Sequence, residues 1–339
     1  MEAERLKVRK CSPGPPVCFL SRPKNCTVIL QVSNRAGPLS RSGTIRLLCG
    51  LPLASMAPMR QAVEHVRRMR GGAQAHLMRC DDDGYYIVKF QNNPQHLRIL
   101  ANEMLATRLA ARLGLCVPQV EVVEVRAELI AYTTELVMQL GMGRVPCLAG
   151  KQFGSQFPGH PARMTVHDFL PDEQLCAVRN LSDFLGVFVF DKWTCNTNGR
   201  QAIFFREPED SASPGSSQVL DQAPYAAMMI DHGFCFNAGE WDFPDAPLRG
   251  LYARQRVYQG VAGMDSFEPW LDRLEKRITE AMLGEEAEHI PPEWYQDDWD
   301  ALARLLERLY ARRNRVRELI LSARNSGRDP FPNWKVRHA

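Results

Sequence analysis

The chain has 339 residues, of which 45% are apolar, 24% charged and 9% aromatic. That composition is close to the soluble globular average; it excludes a disordered or collagen-like chain and leaves enough apolar material for a sizeable core. Lys and Arg number 42 against 39 Asp and Glu, a net charge of +3, which is too small an excess to point to a nucleic-acid partner. No window approaches the ~18 uninterrupted apolar residues of a membrane-spanning helix. The ten cysteines form no Cys-x-x-Cys pair and have no His at zinc spacing, so they read as reduced thiols in a cytoplasmic protein.

Met1 to Ser55 differs from the rest. It is rich in Arg, Pro, Ser and Gly and contains Cys11, Cys18, Cys26 and Cys49. It has one strand-like run, Thr27 to Val32, and no helical period. The apolar run Cys18-Phe19-Leu20 is too short for a signal peptide. The expectation is a disordered extension over 1–55.

From Met59 the pattern becomes legible. Gln61 to Met69 is a short basic stretch ended by Gly71-Gly72. Ala75 to Arg79 and Tyr85 to Phe90 read as two strands joined by the turn Asp81-Asp82-Asp83-Gly84, a hairpin signal. Asn93 and Pro94 suit a helix start, and Leu97, Leu100, Met104, Leu105, Leu109 and Leu113 recur at helical spacing up to Gly114. Gln119 to Val125 alternates as a strand. Gly141 to Pro171 reads as irregular. Leu181 to Phe190 is a buried helix, Asp191 to Arg200 a polar loop, Ala202 to Phe205 a strand, Glu207 to Ser217 a surface loop, and Tyr225 to Ile230 a third apolar strand. Ser266 starts a helix to about Leu283, and Asp298 a longer one to about Ala323. The order predicts an α+β chain, with a sheet-rich N-lobe over 56–140 and a helical C-lobe over 141–339, enclosing a cleft.

Four features can carry chemistry. Lys89 lies inside an apolar strand, where a half-buried ammonium needs an anionic partner, and Glu103 interrupts the apolar face of the next helix. Gly71 and Gly72 precede the hairpin, where successive backbone N–H groups can cradle an anion. Asp191 and Asn196 are five residues apart after a buried helix, a spacing that can present a proton acceptor and an amide oxygen together. The strand ending Ile230-Asp231-His232-Gly233 presents a carboxylate on rigid backbone, suited to a cation with few protein ligands. His232 reads as a turn residue, and Cys195 and Cys235 as inert thiols.

With these residues the chain resembles the HipA-like kinases, a branch of the protein-kinase-like fold. Gly72-Ala73-Gln74-Ala75-His76 is similar to the family's G-x-Q-x-K nucleotide loop, with His76 where Lys is usual. Tyr86 to Phe90 resembles its ATP-lysine strand. Glu103, then Leu109-Ala110-Ala111-Arg112-Leu113-Gly114-Leu115 and Pro118, resemble its E-x-x-x-x-x-L-A-x-x-L-G-x-x-x-P helix. Asp191 to Asn196 and Ile230-Asp231 complete the order, so the resemblance spans about Met69 to Asn237. It implies a two-lobed kinase fold that moves the gamma phosphate of ATP to a Ser or Thr hydroxyl of a protein. Gly71, Gly72, Gln74, Lys89 and Glu103 would hold ATP, Asn196 and Asp231 would hold Mg2+, and Asp191 would be the catalytic base. The family's catalytic segment reads N-x-D-R, and counted from Asn196 that Asp becomes Asn198. An amide cannot accept a proton as a carboxylate can, so the second alignment implies an ATP-binding pseudokinase. The same order occurs in type II phosphatidylinositol 4-kinases, which leaves a lipid or small-molecule acceptor as a further alternative.

Overall fold

The structure is a computed structural model that describes residues 59–206 and 224–335. The extension expected over 1–55 and the loop expected at Glu207 to Ser217 lie outside the described residues.

The first half is a closed five-stranded barrel, in the order β1-β2-β3-β7-β4. Strand β1 (Arg60–Arg68) is the stretch expected to be merely basic. Its Glu64, Arg67 and Arg68 face solvent while Ala62 enters the core. A strand that buries so little of itself gives no apolar alternation to read. Strands β2 (His76–Cys80) and β3 (Tyr85–Lys89) form the expected hairpin, with His76 opposite Val88 and Arg79 opposite Tyr85. Its turn closes through the Asp82 carboxylate, which accepts from the Gly84 N–H at 2.9 Å.

Helix α1 (Ile99–Leu113) begins later than expected. Asn93 does not cap it: its side-chain oxygen accepts from the Gln95 N–H at 2.9 Å and makes a local turn. That is the usual competition of a short amide side chain with helix backbone. Gly114 ends the helix at φ 81°, where its N–H reaches the Ala110 and Ala111 carbonyls, a left-handed cap that favours glycine.

Strand β4 (Val120–Val125) and helix α2 (Ala127–Tyr132) follow. The stretch expected to be irregular contains most of a hairpin, β5 (Val137–Leu140) and β6 (Gly143–Pro146), and then β7 (Gly150–Gln156). Strand β7 is central, pairing Phe153 with Lys89 on one side and with Val122 on the other. A Cβ on Gly154 would lie 2.4 Å from Val123 Cγ2, so the close approach that zips β7 to β4 requires glycine. The barrel interior is filled by Met78, Tyr86, Val88, Phe90, Val123 and Met138.

The second half is mainly helical: α3 (Asp172–Leu175), α4 (Asp183–Thr194), α5 (Glu268–Arg277), α6 (Glu280–Ala287), α7 (Trp299–Arg312) and α8 (Val316–Arg324). A two-stranded ribbon of β8 (Gln201–Arg206) and β9 (Tyr225–Ile230) accompanies them, with Gln201 opposite Ile230. Helix α4 is buried nearly all round, its Phe184, Phe188, Phe190 and Trp193 sharing one core with Leu105 and Leu109 of α1 and Leu305 of α7. Each expected C-terminal helix is two. Thr279 caps α6 by accepting from the Met282 N–H at 3.2 Å, and a single tight turn, Arg313–Arg315, separates α7 from α8. Among the described residues no helix is long and apolar enough to cross a membrane.

Candidate nucleotide and metal site

Three segments meet around Lys89: the end of β3, the middle of α1 and the turn after β9. The Lys89 ammonium donates to Glu103 Oε1 and, at 2.8 Å, to Asp231 Oδ1. Both Lys89 and Glu103 are buried, at 7% and 2% exposure, while the Asp231 side chain keeps 16%. The Lys89–Glu103 pair expected from the sequence is therefore formed, and Asp231 joins it. Burial opposes the Lys89 charge, but Glu103 and Asp231 outweigh it and hold its pKa above the ordinary value. Burial also pushes the Asp231 carboxyl up, and Lys89 and Arg200 more than offset that, leaving it below the ordinary range. Burial raises Glu103, against the pull of Lys89.

Glu103 also accepts from the backbone N–H groups of His232 at 3.1 Å and Gly233 at 2.9 Å. The left-handed conformation is taken not by Gly233 but by Asp231, at φ 62°. Glycine is needed at 233 for closeness: a Cβ there would sit 2.6 Å from Ile99 Cγ1 and 2.9 Å from Glu103 Oε1. His232 is buried as a neutral ring, its Nδ1 3.2 Å from Thr107 Oγ1. Burial and the neighbouring Arg200 and Lys89 keep its pKa well below the ordinary value. Asn102, beside Glu103, donates to the carbonyls of Gly233, Cys235 and Ala238 and accepts from the Trp241 indole. Helix α1 thus grips the whole turn after β9 from one side.

Asp191 is not in a loop. Helix α4 runs on through Thr194, and Asp191 lies in its last turn with a fully buried side chain. Its Oδ2 accepts from Arg200 Nε at 2.9 Å, and its Oδ1 from Arg200 Nη2 at 2.5 Å and Asn196 Nδ2 at 3.0 Å. Arg200 Nη1 then donates to the Ile230 carbonyl at 2.8 Å, immediately before Asp231. Asn196 is buried too, its Oδ1 accepting from the Asn198 N–H at 3.0 Å. Among the described residues no hydrogen bond or ion pair joins Asp191 or Asn196 directly to Lys89, Glu103 or Asp231. Asn198 is half-buried in the following loop, its side-chain oxygen accepting from the Gly199 N–H at 2.9 Å.

The loop before β2 is only partly arranged as expected. Gly71 takes φ 114° and its Cβ position is open, while a Cβ on Gly72 would meet Gln95 Nε2 at 3.2 Å. Gln74 is committed elsewhere. Its side chain accepts from the Gln139 N–H at 2.7 Å and donates to the Gln139 carbonyl at 2.9 Å, which ties the loop to β5. His76 points into the barrel, with Nδ1 3.1 Å from His65 Nε2. Burial, followed by His65 and Arg68, lowers its pKa to about 4.

Sequence reasoning missed Gln201 and Arg200. Gln201 begins β8, is exposed, and donates Nε2 to Asp231 Oδ2 at 2.8 Å. Its place follows from strand pairing: Gln201 stands opposite Ile230 in the two-stranded ribbon, which brings it beside Asp231. Gln201 turns its NH2 to Asp231, which leaves the Asp231 carboxylate as the hard oxygen donor, of the sort a Mg2+-like cation uses when phosphate oxygens complete its shell. Among the described residues no three His, Cys, Asp or Glu side chains gather into a self-sufficient metal cage. The residues present fit a cation that arrives with phosphate.

A family model for HipA-like kinases matches residues 62–319. The chain belongs to the HipA-like kinase family. The match extends past the 69–237 span that the motifs mark, into the C-terminal helices. No curated protein sequence matches the chain. Among solved structures, the Golgi casein kinase with Mn/ADP bound is similar at 14% identity and a TM-score of 0.41, over 78% of this chain and 74% of that one. The Helicobacter pylori proinflammatory kinase CtkA is similar at 12% identity and 0.40, over 76% and 92%. Shewanella oneidensis HipA, in its complex with HipB and operator DNA, is similar at 14% identity and 0.42, over 84% and 70%.

Proposed function

We propose that this member of the HipA-like kinase family binds ATP with Mg2+ on a two-lobed protein-kinase-like frame and acts chiefly as a nucleotide-dependent binding module, with little phosphoryl transfer. The observation that carries this reading is the closed Asp191–Arg200 pair, with both side chains without solvent exposure. A base must come within hydrogen-bond reach of the proton it takes, and a carboxylate wrapped by a guanidinium and an amide has no free face for a hydroxyl. The next residue in family order is Asn198, whose amide cannot take the proton.

Part of the binding apparatus supports the reading, since Lys89, Glu103 and Asp231 stand together. An ammonium has three donors; Glu103 and Asp231 take two from Lys89, which supports a phosphate oxygen on the third. Glu103 aims that ammonium, and Asp231 is the carboxylate at the exposed edge for the cation. Bound ATP with its cation would supply the phosphoryl group and the charge neutralisation around it. Gly71 and Gly72, in an open loop, would approach the phosphates through backbone N–H groups.

The second reading is an active kinase acting on a protein Ser or Thr hydroxyl. The formed Lys89–Glu103–Asp231 set favours it, because phosphoryl transfer depends mainly on positioning and electrostatics.

Calorimetry of ATP binding with Mg2+, run on the native protein and on Asp231→Ala, tests the proposal beside an assay of ADP formation in the presence of a Ser- and Thr-rich protein acceptor. Binding in the native protein, its loss in Asp231→Ala and negligible ADP formation are expected. Absence of binding, or native ADP formation near the roughly 1–100 s⁻¹ of working kinases, would refute it.

A further inference from the structure

We infer that Gln201 is the second protein ligand of the divalent cation, in the role the sequence pattern assigned to Asn196; the inference rests on the reading of Asp231 as the cation carboxylate. The two oxygens of Asp231 are in different surroundings. Oδ1 faces Lys89, and Oδ2 faces the Gln201 amide at 2.8 Å. A cation avoids the ammonium side and takes Oδ2. The group already at that oxygen is Gln201, at the exposed start of β8.

Without a cation, the Gln201 amide presents its N–H to a carboxylate, as it must to avoid opposing two oxygens. A half-turn of the terminal amide exchanges nitrogen for oxygen at nearly the same point. The same side chain then offers Oε1 to a cation seated on Asp231 Oδ2. Its backbone is held for this. Gln201 pairs with Ile230 across the ribbon, and the Ile230 carbonyl is fixed by the buried Arg200 at 2.8 Å. Asn196 has no such freedom, because its amide nitrogen is on Asp191 and its oxygen on the Asn198 N–H.

One carboxylate and one amide make a site of single negative charge. Such a site takes a cation weakly alone and well together with nucleotide phosphates, and added charge at 201 should strengthen it.

Free Mn2+ is titrated by its electron paramagnetic resonance signal against the full chain, with and without ADP, for the native protein, Gln201→Ala, Gln201→Glu and Asp231→Ala. Gln201→Ala is expected to weaken Mn2+ binding by roughly tenfold or more, the scale of losing a group that supports a metal, and Gln201→Glu to tighten it. Thermal melts should match the native protein for both, since the residue is exposed. If both Gln201 variants bind Mn2+ as the native protein does while Asp231→Ala does not, the assignment of Gln201 is overturned and the reading of Asp231 stands. If Asp231→Ala also binds unchanged, the reading fails and takes this inference with it.

Discussion

Asp191 and Arg200 neutralise one another inside the protein, through two hydrogen bonds of 2.9 and 2.5 Å between side chains with no solvent exposure. Gly250 allows the pair its space: it takes φ 74°, and a Cβ there would lie 2.6 Å from the Asp191 Cβ. The third Arg200 contact, on the Ile230 carbonyl, makes the pair a strut between α4 and the end of β9. Burial costs Arg200 stability as a cation, and Asp191 more than restores it, so its pKa stands above the ordinary value.

Asp191→Asn should therefore act on stability first. Removing one partner of a buried ion pair costs about 3–5 kcal/mol, because the other charge is left buried. A large fall in melting temperature is expected, with ATP affinity retained in whatever fraction stays folded at low temperature. A variant that melts like the native protein would argue that Asp191 is not a strut.

Lys89→Met should remove ATP binding and also destabilise the fold. It leaves Glu103 and Asp231 facing each other without their shared cation, and roughly 3 kcal/mol of stability is at risk. Lowering the pH should recover part of that loss, since protonating one carboxyl relieves the repulsion. Melting temperature against pH for the variant and the native protein checks both halves.

Gly233→Ala tests the closeness of the turn to α1. The added methyl meets Ile99 and Glu103, and overpacking of this kind costs about 1–3 kcal/mol. Displacing Glu103 frees Lys89 from its aim, so ATP affinity should fall as well. Calorimetry and a urea titration measure the two effects, and an unchanged affinity would contradict the role given to Gly233.

His76 gives the fold a pH dependence of defined sign. Its pKa is lowered from 6.5 to about 4 in the folded protein. The folded state holds the neutral ring, so the contribution is fully present above about pH 6.5 and is lost as pH falls toward 4. Between pH 7.5 and 5 the urea midpoint should drop, by about 1–2 kcal/mol of stability once screening is allowed for. His76→Leu should flatten that part of the profile.

The parts of this fold that were legible in the sequence are those where one face is buried and the other is wet. The β2–β3 hairpin, α1, β4 and β9 carry their period openly. Strand β1 hid because Val63 and Val66 stand exposed among Glu64, Arg67 and Arg68, so no apolar face alternates, and β7 because Gly154 occupies a place where packing tolerates no side chain. The C-terminal helices were seen but not their breaks, because Thr279 and the turn Arg313–Arg315 interrupt the backbone without interrupting the apolar pattern.

At the site, Lys89, Glu103 and Asp231 could be named because a charge inside an apolar run demands a partner. Asp191 was harder. A carboxylate after an apolar run reads as a helix end, and only the burial of Lys192, Trp193 and Thr194 places it one turn inside. Gln201 and Arg200 carried no signal of composition or spacing. Their meaning comes from strand pairing and from a long-range ion pair, which one sequence does not display.

The central claim is that the nucleotide apparatus stands without a carboxylate base at residue 198. Single-turnover ADP formation from ATP with Mg2+ and a Ser- and Thr-rich protein acceptor, compared between the native protein and Asn198→Asp at equal ATP occupancy, tests it most directly. A general base contributes roughly 10²–10⁴-fold, so the account predicts a rise of at least tenfold in Asn198→Asp with ATP affinity unchanged. Rapid ADP formation by the native protein, unaltered in Asn198→Asp and abolished in a folded Asp191→Asn, would contradict it.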